Sequence, residues 1–216
     1  METEFIYYRH TTPVGIKIEE ISGYEQKSGK IWCELARQVY CENGKNGYRF
    51  INHYPSGVPF LEGESSRISI SHTNHMFVVA SLPSTPEANL EEFNVRTALG
   101  VDVERKSRGQ VLKIRDKFLS DVELNSIDSE DVEKNIIAWT SKEALYKASL
   151  IEGIEFKSRI IITQLPDLHS DGKGKAYIID NEKNKIDFLL YSYISDDEYI
   201  ITIAYSQKSS TFKKHR

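Results

Sequence analysis

The chain has 216 residues, 39% hydrophobic and 28% charged, which fits one large globular domain or two small ones with real cores. Its formal charge of -4 is mild and spread along the chain, so it does not suggest a nucleic-acid binder living on a basic field, while an acidic small-molecule substrate could still meet local basic clusters. METEFIYYRH at the start lacks the basic flank and apolar core of a secretory signal, and no apolar run approaches the ~18 residues of a membrane span; a cytoplasmic location without a membrane partner is expected.

In chain order, short β segments are expected around Phe5 to Tyr8 and Val14 to Ile18, then helical text across Glu19 to Tyr40. Cys33 and Cys41 are separated by seven residues and fit neither a zinc spacing nor a disulfide framework, so both read as ordinary thiols. GKNG, residues 44 to 47, is a turn. A strand near Tyr48 to Asn52 leads to the Pro- and Gly-punctuated YPSGVPF and to RISISHTNHMFVVASL, residues 67 to 82, a β-hairpin in which Ile68 and Ile70 alternate with Ser69 and Ser71. PSTPEANLEEFN, residues 83 to 94, reads as a polar linker. TALGVDVE is a strand, RKSRGQ is basic, and Val111 to Leu119 is helical. Ser120 and Glu123 have the spacing of a capping box. A helix beginning near Glu133 carries AWTSKEALYKAS, and KAYIID, KIDFLLYSYIS and EYIITIAYS form a β-meander. Helical text followed by a closing hairpin occurs in both halves. That pattern predicts an α+β protein of two similar α/β lobes in tandem, residues 1–96 and 97–208, with a cleft between them and a basic, frayed tail over 209–216.

Three stretches carry chemistry. On the strand LGVDVE, Asp102 and Glu104 project from one face about 7 Å apart; their repulsion calls either for a divalent cation with oxygen ligands or for a solvated sheet edge. On the following helix Glu143 and Lys147 share a face with Trp139 one turn earlier, as in a surface ion pair or, alternatively, a metal-ligating carboxylate beside a phosphate-binding lysine. Ser71 and His72 end a strand, where a hydroxyl and an imidazole can donate to phosphate oxygens. His72 and His75 have an H-x-x-H spacing, but no further ligand stands near enough in sequence to favour zinc.

Taken in order, ISISHT, LGVDVE and WTSKEALYKA resemble the three signature motifs of the 4'-phosphopantetheinyl transferase superfamily, the last two as G-V-D-x-E and W-x-x-K-E-A-x-x-K-A. KFLSDVEL is similar to the family's Phe-x-x-x-x-Glu stretch at Phe118 and Glu123, and the length resembles that of the larger, two-lobed, surfactin-synthetase-activating type. The resemblance implies transfer of the 4'-phosphopantetheine group from coenzyme A to a serine of an apo acyl or peptidyl carrier protein, with release of adenosine 3',5'-bisphosphate. It implies that Asp102, Glu104 and Glu143 hold Mg2+, Mn2+ being the alternative, and that Lys147, Ser71 and His72 meet coenzyme A phosphates, with Lys142 as a further contact. Glu143 is the first choice of general base and Glu104 the second. Val58 stands before Pro59 where many relatives carry a lysine, which removes one expected cation; Arg37, Lys45 and Arg49 are candidates for the 3'-phosphate, or else ordinary surface charges. Residues 105 to 117, with six Lys or Arg against one Asp, are expected to meet the acidic helix of a carrier protein, or else to be a solvated amphipathic helix. Two lobes in one chain make a monomer the expectation. A metal-dependent phosphodiesterase and a degenerate, non-catalytic binder of carrier protein or coenzyme A are the alternatives.

Overall fold

The computed structural model describes residues 5–23, 29–43, 49–83 and 98–206. The expected turn at 44–47 with Lys45, the linker beyond Pro83 and the tail over 209–216 lie outside the described residues.

Strands β1 (Ile6–Thr11) and β2 (Lys17–Ser22) are followed by helix α1 (Gly29–Glu42), a small hairpin of β3 (Ile51–His53) and β4 (Pro59–Leu61), and the hairpin of β5 (Ser66–Thr73) and β6 (Met76–Pro83). Next come β7 (Leu99–Arg105), a 3-10 turn over Gly109–Lys113, and helices α2 (Arg115–Phe118), α3 (Asp121–Ser126), α4 (Val132–Ser149) and α5 (Phe156–Arg159). Strands β8 (Ile160–Gln164), β9 (Lys173–Ile179), β10 (Lys185–Ser195) and β11 (Tyr199–Tyr205) complete the described chain. The strands form a four-stranded antiparallel sheet in the order β1-β2-β6-β5 and a five-stranded one in the order β7-β11-β10-β9-β8.

The period-2 pattern explains how these sheets pack. Ile16, Ile18, Met76, Val78 and Ala80 from the first sheet side join Leu99, Val101, Val103, Tyr199, Ile201 and Ile203 from the second in one buried apolar cluster. The opposite face of the first sheet covers Trp32, Ala36 and Tyr40 of α1. That of the second covers Ile136, Ile137, Ala144, Leu145 and Ala148 of α4. Burial of this apolar surface is the main force holding the layers together.

Two expectations need correction. Glu19 to Ser22 belongs to β2, and the helix starts only at Gly29. Glu19 and Glu20, good helix formers by propensity, are buried strand residues with fixed partners: Arg9 and Arg49 for Glu19, Tyr193 and Ser195 for Glu20. YPSGVPF is the bend of a hairpin in which His53 pairs with Pro59, and β8 is a strand that the sequence pattern did not separate from the helical text before it.

Helix α4 positions the chemistry. Asp131 caps it by accepting a hydrogen bond from the Lys134 backbone N–H at 2.9 Å. A buried hydroxyl chain from Thr140 to Thr202 (2.7 Å) and on to Ser192 (2.8 Å) fixes its rotation against β11 and β10. Gly100 of β7 faces the Ala144 carbonyl and the Ala148 amide so closely that a Cβ there would overlap backbone atoms. The small residues on both elements let strand and helix approach, which sets the Asp102 strand beside the Glu143 helix.

Candidate active site

Asp102 and Glu104 follow Gly100 on the α4 side of β7, the edge strand of its sheet. Strand β5 lies along that edge: Ser69 Oγ accepts a hydrogen bond from the Val101 N–H at 3.0 Å, and Ser71 Oγ donates to Asp102 Oδ1 at 2.7 Å. From α4, Lys147 Nζ donates to the same Asp102 oxygen at 2.8 Å and to the Val101 carbonyl at 2.9 Å. Ile70, Ser71, His72, Asp102, Glu104, Trp139, Glu143 and Lys147 therefore line one recess of about 380 Å³. A cleft of about 1600 Å³ shares Ile70, His72, Glu104 and Lys147 with that recess.

The electrostatics are those of crowded carboxylates. Burial, together with repulsion from Asp102 and Glu104, raises the Glu143 carboxyl to about 7 although Lys147 opposes the shift. Burial also raises Glu104, against the pull of Arg108, which is ion-paired with it; Asp102 adds to the rise, and a hydrogen bond from Trp139 opposes it. The His72 imidazole is held below its ordinary value by burial and by Lys147, against Asp102.

This donor set has the chemistry of a hard-cation site, three oxygen ligands whose mutual repulsion a divalent ion would relieve. Its arrangement is not a finished cage: among the described residues no group of three or more His, Cys, Asp and Glu is arranged to hold a metal. Cationic side chains instead stand against two of the carboxylates, Lys147 on Asp102 and Arg108 on Glu104.

Six of the residues singled out in the sequence, Ser71, His72, Asp102, Glu104, Glu143 and Lys147, thus meet in one place. Lys142 does not. It is fully buried, and its ammonium donates to Glu123 Oε2 at 2.7 Å and to the carbonyls of Phe156 (3.0 Å) and Ile160 (2.5 Å). The expected phosphate contact is therefore corrected to a structural tie. Glu123, the capping-box residue, also accepts from the N–H groups of Ser120 (2.6 Å) and Ile162 (2.7 Å), so it joins α3, α4 and β8. Arg49 is likewise committed elsewhere, to Glu19 at 2.8 Å and over the Tyr40 ring, and it is not among the cleft-lining residues. Arg37 does line the cleft, while its guanidinium donates to the Ile51 carbonyl at 2.6 Å.

Two further residues stand at the site. Trp139, which the sequence placed on the Glu143 face without a role, sits edge-on to Phe118 at 5.0 Å, bonds Glu104 and lines the recess. Arg67 is buried, lines the cleft, and has its guanidinium pushed down to about 10 by burial. The signal for it was present: Arg67, Ser69 and Ser71 share one strand face by the same alternation that marks Ile68 and Ile70.

Residues 98–204 match the family model of the 4'-phosphopantetheinyl transferase superfamily. The match covers just under half of the chain, from the start of β7 almost to the end of β11, and takes in Asp102, Glu104, Glu143 and Lys147, whereas Ser71 and His72 precede it. It supports phosphopantetheinyl transfer as the general chemistry of this part of the chain. No curated protein matches. Among the described residues no helix is long and apolar enough to cross a membrane.

Proposed function

We propose that the protein transfers the 4'-phosphopantetheine group of coenzyme A to a serine hydroxyl of an apo acyl or peptidyl carrier protein, acting as a monomer in the cytoplasm. The observation that carries this reading is the convergence on one recess of Ser71 and His72, Asp102 and Glu104, and Glu143 and Lys147, three pairs supplied by β5, β7 and α4. Residues 1–96 and 97–208 would be the two similar lobes of the larger type of this family, with the cleft between them.

Asp102, Glu104 and Glu143 would hold Mg2+, which when bound supplies Lewis-acid stabilisation of pyrophosphate charge. Lys147 and His72 would supply N–H donors to the phosphate oxygens, and Ser71 would supply the O–H that otherwise donates to Asp102. The carrier serine Oγ attacks the β-phosphorus; a new P–O bond forms, the bond to the bridging oxygen breaks, and the electron pair leaves with adenosine 3',5'-bisphosphate. The serine proton would pass to Glu143, with Glu104 as the second candidate. Residues 105–117, in which Lys113 and Lys117 are exposed, would meet the carrier's acidic helix.

Intact-protein mass spectrometry of an apo carrier protein incubated with coenzyme A, Mg2+ and this protein tests the reading. A mass gain of one phosphopantetheine, dependent on metal and lost in Glu143→Gln, is expected. Free phosphopantetheine without a modified carrier would instead identify a hydrolase.

A further inference from the structure

Beside the recess, helix α1 contributes a contact that the mechanism above does not use. Cys33 Sγ lies 3.2 Å from His72 Nδ1, and both residues line the large cleft. A neutral imidazole carries one N–H, and the hydrogen bond made by one ring nitrogen decides whether the other is a donor or an acceptor. The Thr73 carbonyl is the other acceptor near the same sulfur, at 3.7 Å. Of the two, the imidazole nitrogen is nearer. A thiol is a weak donor and its sulfur a weak acceptor; the imidazole lone pair, more basic than a carbonyl oxygen and nearer, is the better of the two acceptors within reach of the S–H. Burial pushes the Cys33 thiol up, so it keeps the proton that it donates.

We propose that Cys33 is a positioning residue for His72: its S–H donates to Nδ1, which places the imidazole proton on Nε2 and turns an N–H donor toward the anionic ligand of the cleft. The inference rests on the reading of that ligand as the coenzyme A phosphates. With the thiol removed, the ring can rotate or change tautomer, and a lone pair facing phosphate would repel it. The loss is one oriented hydrogen bond, about fivefold in coenzyme A affinity.

The test uses full-length protein with 15N-labelled histidine, above the ordinary histidine pKa, with the His72 signals identified by their absence in His72→Gln. The Nε2–H tautomer is expected in the unsubstituted protein, a mixture in Cys33→Ala, and recovery in Cys33→Ser, whose hydroxyl can donate in the same sense. In parallel, KM for coenzyme A should rise about fivefold in Cys33→Ala and return in Cys33→Ser, with kcat and KM for the carrier unchanged. An Nδ1–H tautomer in the unsubstituted protein, or a Cys33→Ala variant with unchanged tautomer and KM, overturns the proposal. A Cys33-dependent Nε2–H tautomer in a protein that does not bind coenzyme A would uphold the positioning role and overturn the proposed function.

Discussion

Lys142 and Lys147 stand five positions apart on α4, and the helix turns them to different surroundings. Lys142 is sealed in the core against Glu123, whereas Lys147 reaches the recess and Asp102. Breaking a buried ion pair leaves the surviving charge without compensation, so Lys142→Ala should destabilise the protein by about 3–5 kcal/mol, read as a lower urea midpoint. Lys147→Met should instead lower coenzyme A affinity about tenfold or more, measured by calorimetry, because it removes a charge-assisted contact to phosphate. A Lys142→Ala protein as stable as its parent, or a Lys147→Met protein with undiminished affinity, would reverse these assignments. The motif spacing made both lysines visible but could not tell them apart: the carboxylate that claims Lys142 is 19 positions away, and only the packing of α3 on α4 brings it near. His72 and Lys147 were legible because their motifs also fix which end of an element they occupy. Arg67 was passed over because its place in the cleft wall depends on the folded packing and not on its immediate neighbours in sequence.

At the scale of elements, Gly100 sets the distance between β7 and α4. A Cβ there meets backbone atoms of Ala144 and Ala148, which cannot move aside as a side-chain tip could. Gly100→Ala should cost about 1–3 kcal/mol through overpacking and should also displace Asp102 and Glu104 from Glu143; the check is a lower melting temperature together with a larger fall in transfer rate than in coenzyme A binding. The β1–β2 pair carries the clearest pH dependence. Burial alone would raise the Glu19 carboxyl, but hydrogen bonds from Tyr7, Arg49 and Arg9 outweigh it and hold it below the ordinary value. A depressed carboxylate contributes stability that is fully present above its unfolded pKa, about 4.3, and is lost as pH falls through the lower folded value. Unfolding midpoints measured from neutrality into acid should fall more steeply in the parent than in Glu19→Gln, which lacks this titration; parallel curves would show that Glu19 is not a source of acid sensitivity. Glu19 also shows why β2 was illegible at its far end. The strand text KIEEIS places two carboxylates in a core, and only distant arginines, tyrosines and a serine make that tolerable. The hairpin of β5 and β6 and the final meander bury no carboxylate of their own, and their alternation marked them.

For the whole molecule, the question is how a second protein reaches the recess. Residues 105–117 carry six basic side chains in sequence, but the fold commits three of them. Arg115 donates to Asn135 Oδ1 at 3.0 Å and to the Ile127 carbonyl at 2.5 Å. Arg105 pairs with Glu198 at 3.3 Å, and Arg108 holds Glu104. Of the other three, Lys106 is half-buried and Lys113 and Lys117 are exposed, with the buried Val111 anchoring the 3-10 turn. Charge at such rim positions steers encounter more than it fixes final affinity, and its effect fades with ionic strength. Reversing both, Lys113→Glu with Lys117→Glu, should therefore raise KM for the carrier protein several-fold at low salt, with the difference shrinking as salt increases. KM for coenzyme A should not move, because neither lysine lines the cleft or the recess. Steady-state kinetics with each substrate varied in turn, at two salt concentrations, separates the cases. Equal rises in both constants would place the effect in the site itself and remove this face as the docking surface.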